Sequence, residues 1–251
     1  LFNFSDVSAM IHKIQPTHLL HFAWYAVPGK FWSAVENLEW VSASLNLLKE
    51  FSKIGQRAVF AGSSAEYDWN YGYCTENYTP LEPLSLYGTC KNSLQKVFTS
   101  YTNGIQLQSV WGRIFFLYGP NEPKEKLVGG LIHSLINGKI FETSSGEQIR
   151  DFLYVEDVAD AFVALLESNV TGNVNIASGL PVKVKDFILK IAEQMDKVEL
   201  VKIGARPTSL AEPPFLLADV TRLNKEVGWV PKRTLNEGIQ ATINWWKENQ
   251  S

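Results

Sequence analysis

Short apolar runs alternate with longer segments in which apolar residues recur every three or four positions. This alternation predicts strands interleaved with helices. Residues 17–23, "THLLHFA", follow Pro16 and read as a buried strand. In "ENLEWVSASLNLLKEFSKIG", Leu38, Val41, Leu45 and Leu48 fall at helical spacing, with Gly55 as the expected stop. "RAVFAGSS" at 57–64 is a second strand, a loop rich in Tyr, Asn and Gly leads to Pro83, and a helix begins near "SLYG". Its apolar face is Leu86, Cys90, Leu94, Val97 or Phe98, and Tyr101. The pattern continues with a strand at "LQSVWGRIFF", a helix near "KLVGGLIHSLI" and a strand-to-helix segment at "DFLYVEDVADAFVALLES". "NVNIAS" and "ELVKIG" read as strands, "KVKDFILKIAEQM" as a helix, and two helices close the chain. The order predicts an α/β fold, a doubly wound parallel sheet covered by helices on both faces.

At 251 residues, 45% apolar and 20% charged, the chain can bury one large core or two unequal ones. No window approaches the roughly 18 consecutive apolar residues of a membrane helix, and the first twenty residues lack the order of a signal peptide. No membrane partner and a cytoplasmic location are expected. Two cysteines, Cys74 and Cys90, make neither a disulfide framework nor a metal motif. A net charge of -3 without a basic run argues against nucleic acid. The chain begins at Leu1 with the polar "NFSDVS", as though cut from something longer.

Tyr87 and Lys91 in "SLYGTCK" share a helix face, because residues four apart are neighbours on a helix. Free phenol has a pKa near 10, so proton exchange at neutral pH needs a positive charge that favours phenolate, and Lys91 can supply it. Ser63 and Ser64 end the strand "RAVFAGSS", and open α/β sheets place ligands at the carboxyl ends of their strands. One of these hydroxyls could hold a substrate oxygen. The same pair could equally be two side chains that share a helix face by chance.

"GSSAEY", "YGTCK", "GRIFFLYGP", "GEQIRDFLYVEDVADA" and "GARPTSLAEPP" occur in this order. From about Pro16 to Trp246 the sequence resembles the extended short-chain dehydrogenase/reductases that modify nucleotide sugars, the NAD-dependent epimerase/dehydratase family. The resemblance implies a Rossmann-like fold, NAD or NADP as cofactor and a nucleotide-sugar substrate. It casts Ser64 as the hydroxyl bonded to the reacting sugar oxygen, Tyr87 as the acid/base, and Lys91 as the residue that binds the nicotinamide ribose and lowers the tyrosine pKa. Phe22, Ala23, Trp24, Asn37, Ser63 and Phe115 become cofactor contacts. Arg150 and Arg206 would grip the sugar-nucleotide diphosphate, which suits their forked donors. Each has a structural alternative: Arg150 could pair with Asp151 or a surface carboxylate, Asn37 could cap a helix, and Phe22 and Phe115 could be core. Asp157 is expected to cap a helix, and His18, His21 and His133 to serve packing or lie exposed.

The resemblance also has gaps. The family's cofactor turn reads Gly-x-x-Gly-x-x-Gly, yet no two of the 17 glycines are two or three residues apart. The first βαβ unit is therefore expected to be missing from this chain, as in a fragment of a complete enzyme or, alternatively, a natural shortened protein. The domains expected are a truncated dinucleotide domain at 1–117 and 145–178, interleaved with a substrate domain at 118–144 and 179–251. Where family dehydratases carry Asp-Glu after the Ser/Thr, this chain has Ala65 and Glu66, so dehydration is not expected. Glu66 is either a further acid/base or a hydrogen-bonding wall. Phe116-Leu117 replaces a substrate-binding Asn, giving an apolar pocket that suits a deoxy sugar. The expected function is hydride transfer at C4 of a nucleotide-linked sugar, as a 4-ketoreductase or alternatively a 4-epimerase. A catalytically inactive binding chain is the alternative of another class, and the resemblance implies a homodimer through the helix at 37–55 and the helix that bears Tyr87 and Lys91.

Overall fold

β1 (His18–His21), β2 (Arg57–Ser63), β4 (Gln108–Ile114) and β8 (Gly172–Ile176) form a parallel sheet in the order β1-β2-β4-β8. The computed structural model describes residues 1–208 and 212–249; residues 209–211, in the middle of "GARPTSLAEPP", lie outside them. Side chains of β2 alternate between the two faces, as the pleat requires. Ala58 and Phe60 pack with α1 (Phe4–Ile14), α2 (Glu36–Phe51) and α3 (Leu86–Gly104). Val59 and Ala61 pack with α5 (Val155–Glu167) and α7 (Thr221–Lys225). Phe51, Phe60, Phe98 and Trp111 are fully buried beneath the first group. Burial of each contributes about 2–3 kcal/mol.

A second sheet has the order β3-β11-β7-β5, with β9 antiparallel to β7. Its strands are β3 (Tyr73–Cys74), β5 (Phe116–Tyr118), β7 (Ile149–Tyr154), β9 (Pro181–Lys183) and β11 (Phe215–Ala218). Tyr118, Phe152 and Tyr154 bury against α4 (Leu127–Ile136), α6 (Val184–Gln194) and α8 (Leu235–Glu248). β6 (Phe141–Glu142) pairs with β10 (Val201–Lys202) beside them.

Several elements differ from the pattern's prediction. α1 was not expected, although Val7 and Ile11 stand four apart and pack into the core. α2 ends at Phe51 rather than at Gly55, and a methyl on Gly55 would lie 2.1 Å from the Phe51 ring. Gly55 makes room for a ring instead of capping a helix. The run "LQSVWGRIFF" breaks at Phe115, where the chain leaves one sheet for the other: β4 pairs with β8, and β5 with β7. In "ELVKIG" only Val201–Lys202 is strand, and Leu223 and Trp229 join the main sheet's core. No helix among the described residues is long and apolar enough to cross a membrane.

Candidate active site

The carboxyl ends of β1, β2 and β4 lie together at one edge of the main sheet, where Phe22–Trp24, Ser63–Glu66 and Phe115 follow the strands, whereas Phe116 and Arg150 belong to the second sheet and Arg206 follows β10. α3 begins at this edge, capped by Ser85, whose hydroxyl accepts from Gly88 N–H at 3.1 Å. Tyr87 is therefore in the first turn, where a helix leaves its N–H groups unpaired. Its N–H donates to Trp32 O at 3.1 Å, which ties the turn at 28–33 to the helix. Lys91 follows one turn later and is buried, with Nζ donating to Ala61 O on β2 at 2.9 Å.

Ser64 opens a single 3-10 turn, Ser64–Glu66, directly after β2. The Ser63 hydroxyl accepts from Ala65 N–H at 3.2 Å, and Glu66 Oε1 accepts from Ser63 N–H at 2.8 Å, so the turn is boxed at both ends. α3 packs on this turn through Gly88: a methyl there would lie 2.3 Å from Ala65 O and 2.8 Å from Pro83 Cβ. The glycine lets the helix carrying Tyr87 and Lys91 press against the turn carrying Ser64.

Aromatic rings surround the phenol. Phe31, Trp32 and Trp24 stand edge-on to Tyr87 at centroid distances of 5.0, 5.8 and 6.4 Å. Burial pushes the Tyr87 pKa up to about 12; hydrogen bonding to Ser63 pulls it down and the charge of Glu66 pushes it up. Burial also lowers Lys91 to about 7, against the pull of Glu66. Burial is thus the largest influence on the phenol in this structure. The ammonium sits 3.9 Å from the centroid of the Trp24 ring, a cation–π contact.

Trp24 is held in turn by Asn37, whose Oδ1 accepts from Trp24 Nε1 at 2.7 Å. The Asn37 amide donates to Phe31 O at 2.7 Å and Ala34 O at 2.8 Å, so it fastens the loop after β1 rather than capping a helix with its side chain. Phe22 and Ala23 are exposed at the end of β1, Phe22 resting 4.6 Å from Phe162. Phe115 is buried against Tyr67.

Arg150, on β7, is buried and lies 5.3 Å over the Phe116 ring. Its Nη1 donates to Ile149 O at 2.9 Å, and its Nη2 is 3.5 Å from the exposed Glu212 carboxylate. Asp151 is not its partner; that carboxylate accepts from Ser178 and Gly179. Arg206 is exposed, 3.8 Å from Glu142. Asp157 accepts from Arg233 N–H at 3.2 Å and caps no helix, correcting that expectation. His21 is buried against Phe60 and Ser44, while His18 is exposed. Among the described residues no cluster of three or more His, Cys, Asp or Glu could hold a metal ion.

Four participants escaped the sequence reading: Trp32, Gly88, Trp111 and Arg113. Gly88 sits inside the Tyr-Lys spacing, and a glycine in the first turn of a helix signals a close approach. Trp111 and Arg113 look like ordinary alternating positions of a strand.

A parallel α/β sheet that presents Ser, Tyr and Lys at its carboxyl edge defines the class of the protein. Within it, residues 1–177 match the model of the NAD dependent epimerase/dehydratase family, and the chain belongs to that family. Human dTDP-D-glucose 4,6-dehydratase is 29% identical over 213 residues, which cover 80% of this chain and 57% of that enzyme. The chain thus spans little more than half the length of that relative. The crystal structure of a UDP-glucose 4-epimerase with UDP-glucose from Thermotoga maritima superposes with a TM-score of 0.87 at 20% identity, over 100% of this chain and 83% of that one. The UDP-glucose 4-epimerase of Thermus thermophilus, in complex with NAD, gives 0.82 at 22% identity, over 99% and 83%. At these identities the likeness is one of fold.

Proposed function

We propose that the chain carries the proton-transfer half of an NAD(P)-dependent hydride-transfer site acting at C4 of a nucleotide-linked sugar. The observation that supports it most is the close packing of α3 on the Ser64–Glu66 turn at the carboxyl edge of the sheet, with Lys91 bonded to Ala61 O on β2 and the Tyr87 phenol hydrogen-bonded to Ser63, next to Ser64. In this reading Tyr87 gives or takes the proton at O4, Ser64 orients that oxygen, and Lys91 supplies the charge that favours phenolate while binding the nicotinamide ribose.

The residues fit the nicotinamide-ribose end of the cofactor. An ammonium has three donors, and Lys91 commits one to Ala61 O. Phe22 and Ala23 are open at the end of β1, whereas Asn37 has both amide N–H groups engaged within the loop and acts by holding Trp24. When bound, the nicotinamide accepts or donates the hydride. NAD is the cofactor named with the Thermus relative. The proposal is confined to the proton-transfer half, since no glycine-rich turn for the pyrophosphate occurs in these 251 residues.

Ala65 has no proton to give and Glu66 is sealed inside the protein, which supports hydride transfer without dehydration. Leu117 is exposed on β5 while Phe116 packs beneath Arg150, apolar surroundings that suit a deoxy sugar; the 4-ketoreductase is the first form of the reading and the 4-epimerase the second, and the test below separates them. Arg150 would meet the diphosphate by exchanging Glu212 for phosphate, with Arg206 a second cation. The interleaved dinucleotide and substrate domains stay part of the proposal, although β3 and β7 of the second sheet fall within the residues assigned to the dinucleotide domain. A homodimer through α2 and α3 completes the reading, since Leu38, Val97 and Ile105 leave apolar side chains exposed there.

The test is to incubate the protein with NAD(H) or NADP(H) and a panel of UDP- and dTDP-linked hexoses and 4-keto-hexoses. Absorbance of reduced nicotinamide and product stereochemistry are followed together. Net consumption identifies the reductase, and interconversion without net consumption the epimerase. Tyr87→Phe is expected to lower turnover by roughly 10²–10⁴-fold with sugar-nucleotide binding retained. Wild-type turnover in that variant would refute the mechanism, and binding without any turnover would leave a binding protein.

A further inference from the structure

Glu66 is fully buried although it stands only two residues from Ser64. Its Oε1 accepts from Ser63 N–H at 2.8 Å and from Trp111 Nε1 at 2.9 Å, and its Oε2 from Arg113 Nε at 2.7 Å. Gly62 makes the arrangement possible: a methyl there would lie 2.1 Å from Trp111 Nε1 and 2.6 Å from Glu66 Oε1. Arg113 is fully buried too, and its Nη1 donates to the Tyr67 hydroxyl at 3.2 Å, which donates to Asn175 Oδ1 at 2.7 Å. A buried ion pair is a poor source of stability, because desolvating two charges offsets most of their attraction. Stability alone therefore does not account for a carboxylate at this point of the fold.

We propose that Glu66 is a positioning residue: clamped by Trp111 and Arg113, it holds the Ser63–Ser64 turn in place and keeps a fixed negative charge beside the Tyr87 and Lys91 pair. The inference rests on the reading of Tyr87, Lys91 and Ser64 given above and replaces the acid/base role for Glu66. No substrate proton can reach a carboxylate sealed by three protein donors.

The two tasks are separable, since one depends on reach and the other on charge. The titratable groups around Lys91 are Glu66 in the turn after β2, His21 on β1 and Tyr87 one turn earlier on α3. Burial drives Lys91 toward the neutral amine and the charge of Glu66 opposes it. His21 stays neutral near pH 7, since burial, reinforced by Lys91, lowers it to about 4. Without Glu66 the amine would shed its proton and lose the charge that favours phenolate.

Glu66→Gln removes the charge at constant size; Glu66→Asp keeps the charge and shortens the reach. The lysine side chains are titrated by carbon NMR in protein free of nicotinamide and sugar, with the Lys91 signal assigned by its loss in Lys91→Met. In Glu66→Gln the Lys91 midpoint is expected to fall by about one pH unit or more. In Glu66→Asp it should stay in place while kcat falls roughly 10–100-fold at unchanged KM, because Ser64 is displaced. A midpoint unmoved in Glu66→Gln would overturn the proposal and leave Glu66 a wall residue. Should Glu66→Gln fail to fold with Arg113 left unpaired, Glu66→Gln combined with Arg113→Met removes both charges, and a smaller fall in the same direction is expected, because a positive charge is lost too; no fall would overturn the proposal. The titration needs no turnover, so it stands apart from the hydride-transfer reading, which Tyr87→Phe tests.

Discussion

His21 ends β1 with its ring 4.6 Å from Phe60 and Nε2 2.9 Å from the Ser44 hydroxyl. Burial first, and the charge of Lys91 second, lower its pKa from 6.5 to about 4. The folded protein thus refuses a proton that the unfolded chain accepts. Stability from this residue is complete above pH 6.5 and is lost as pH falls through the window down to about 4. At about pH 5 the loss is roughly 2 kcal/mol. The difference in urea stability between the wild type and His21→Gln should shrink by about that amount from neutral pH to about pH 5, a comparison in which the opposite slope from Glu122, raised by burial to about 7, cancels; an unchanged difference would contradict it. At this scale Tyr87, Lys91 and Ser64 were legible in the sequence, because their chemistry is carried by residue type and spacing. Glu66 was legible only as one of two alternatives, an acid/base or a hydrogen-bonding wall, because its partners Trp111 and Arg113 stand 45 and 47 residues further on.

Among the elements, α3 and the turn after β2 make the critical contact. Gly88 faces a backbone carbonyl and a proline ring, neither of which can swing aside. Gly88→Ala should push the helix off the turn and cost about 1–3 kcal/mol of overpacking. That corresponds to a Tm lower by roughly 2–10 °C. Turnover should fall further than stability alone explains, since Tyr87 and Lys91 move relative to Ser64. A variant with wild-type Tm and rate would show that the close approach is dispensable. The alternation of apolar runs placed α2 to α6 and the main strands within a few residues. It missed α1 and joined β4 to β5. Phe115 is apolar like its neighbours, and only its N–H, donating to Ile176 O at 3.2 Å, marks where the chain changes sheets.

Among the described residues a four-stranded and a five-stranded sheet, with the β6–β10 pair beside the second, have helices that close around separate cores, and the candidate site lies at the edge of the four-stranded sheet. α2 and α3 lie side by side on its outer face, and Tyr101 bonds Ser52 at 2.8 Å between them. In the proposed homodimer, Val97→Glu would place a charge on the shared surface, and sedimentation at micromolar protein is expected to show a monomer that keeps the wild-type Tm. A wild-type protein that sediments as a monomer would remove the dimer from the reading. The sequence by itself determined the fold class and the spacing that puts the proposed proton-transfer pair on one helix face, because hydrophobic periodicity and side-chain chemistry are local properties of the chain. Only the tertiary structure decided that aromatic rings from the loop after β1 cover Tyr87, that Trp24 lies over Lys91, and that Arg113 pairs with Glu66. Those facts belong to residues distant in the chain, and desolvation and pairing exist only after folding has brought them together.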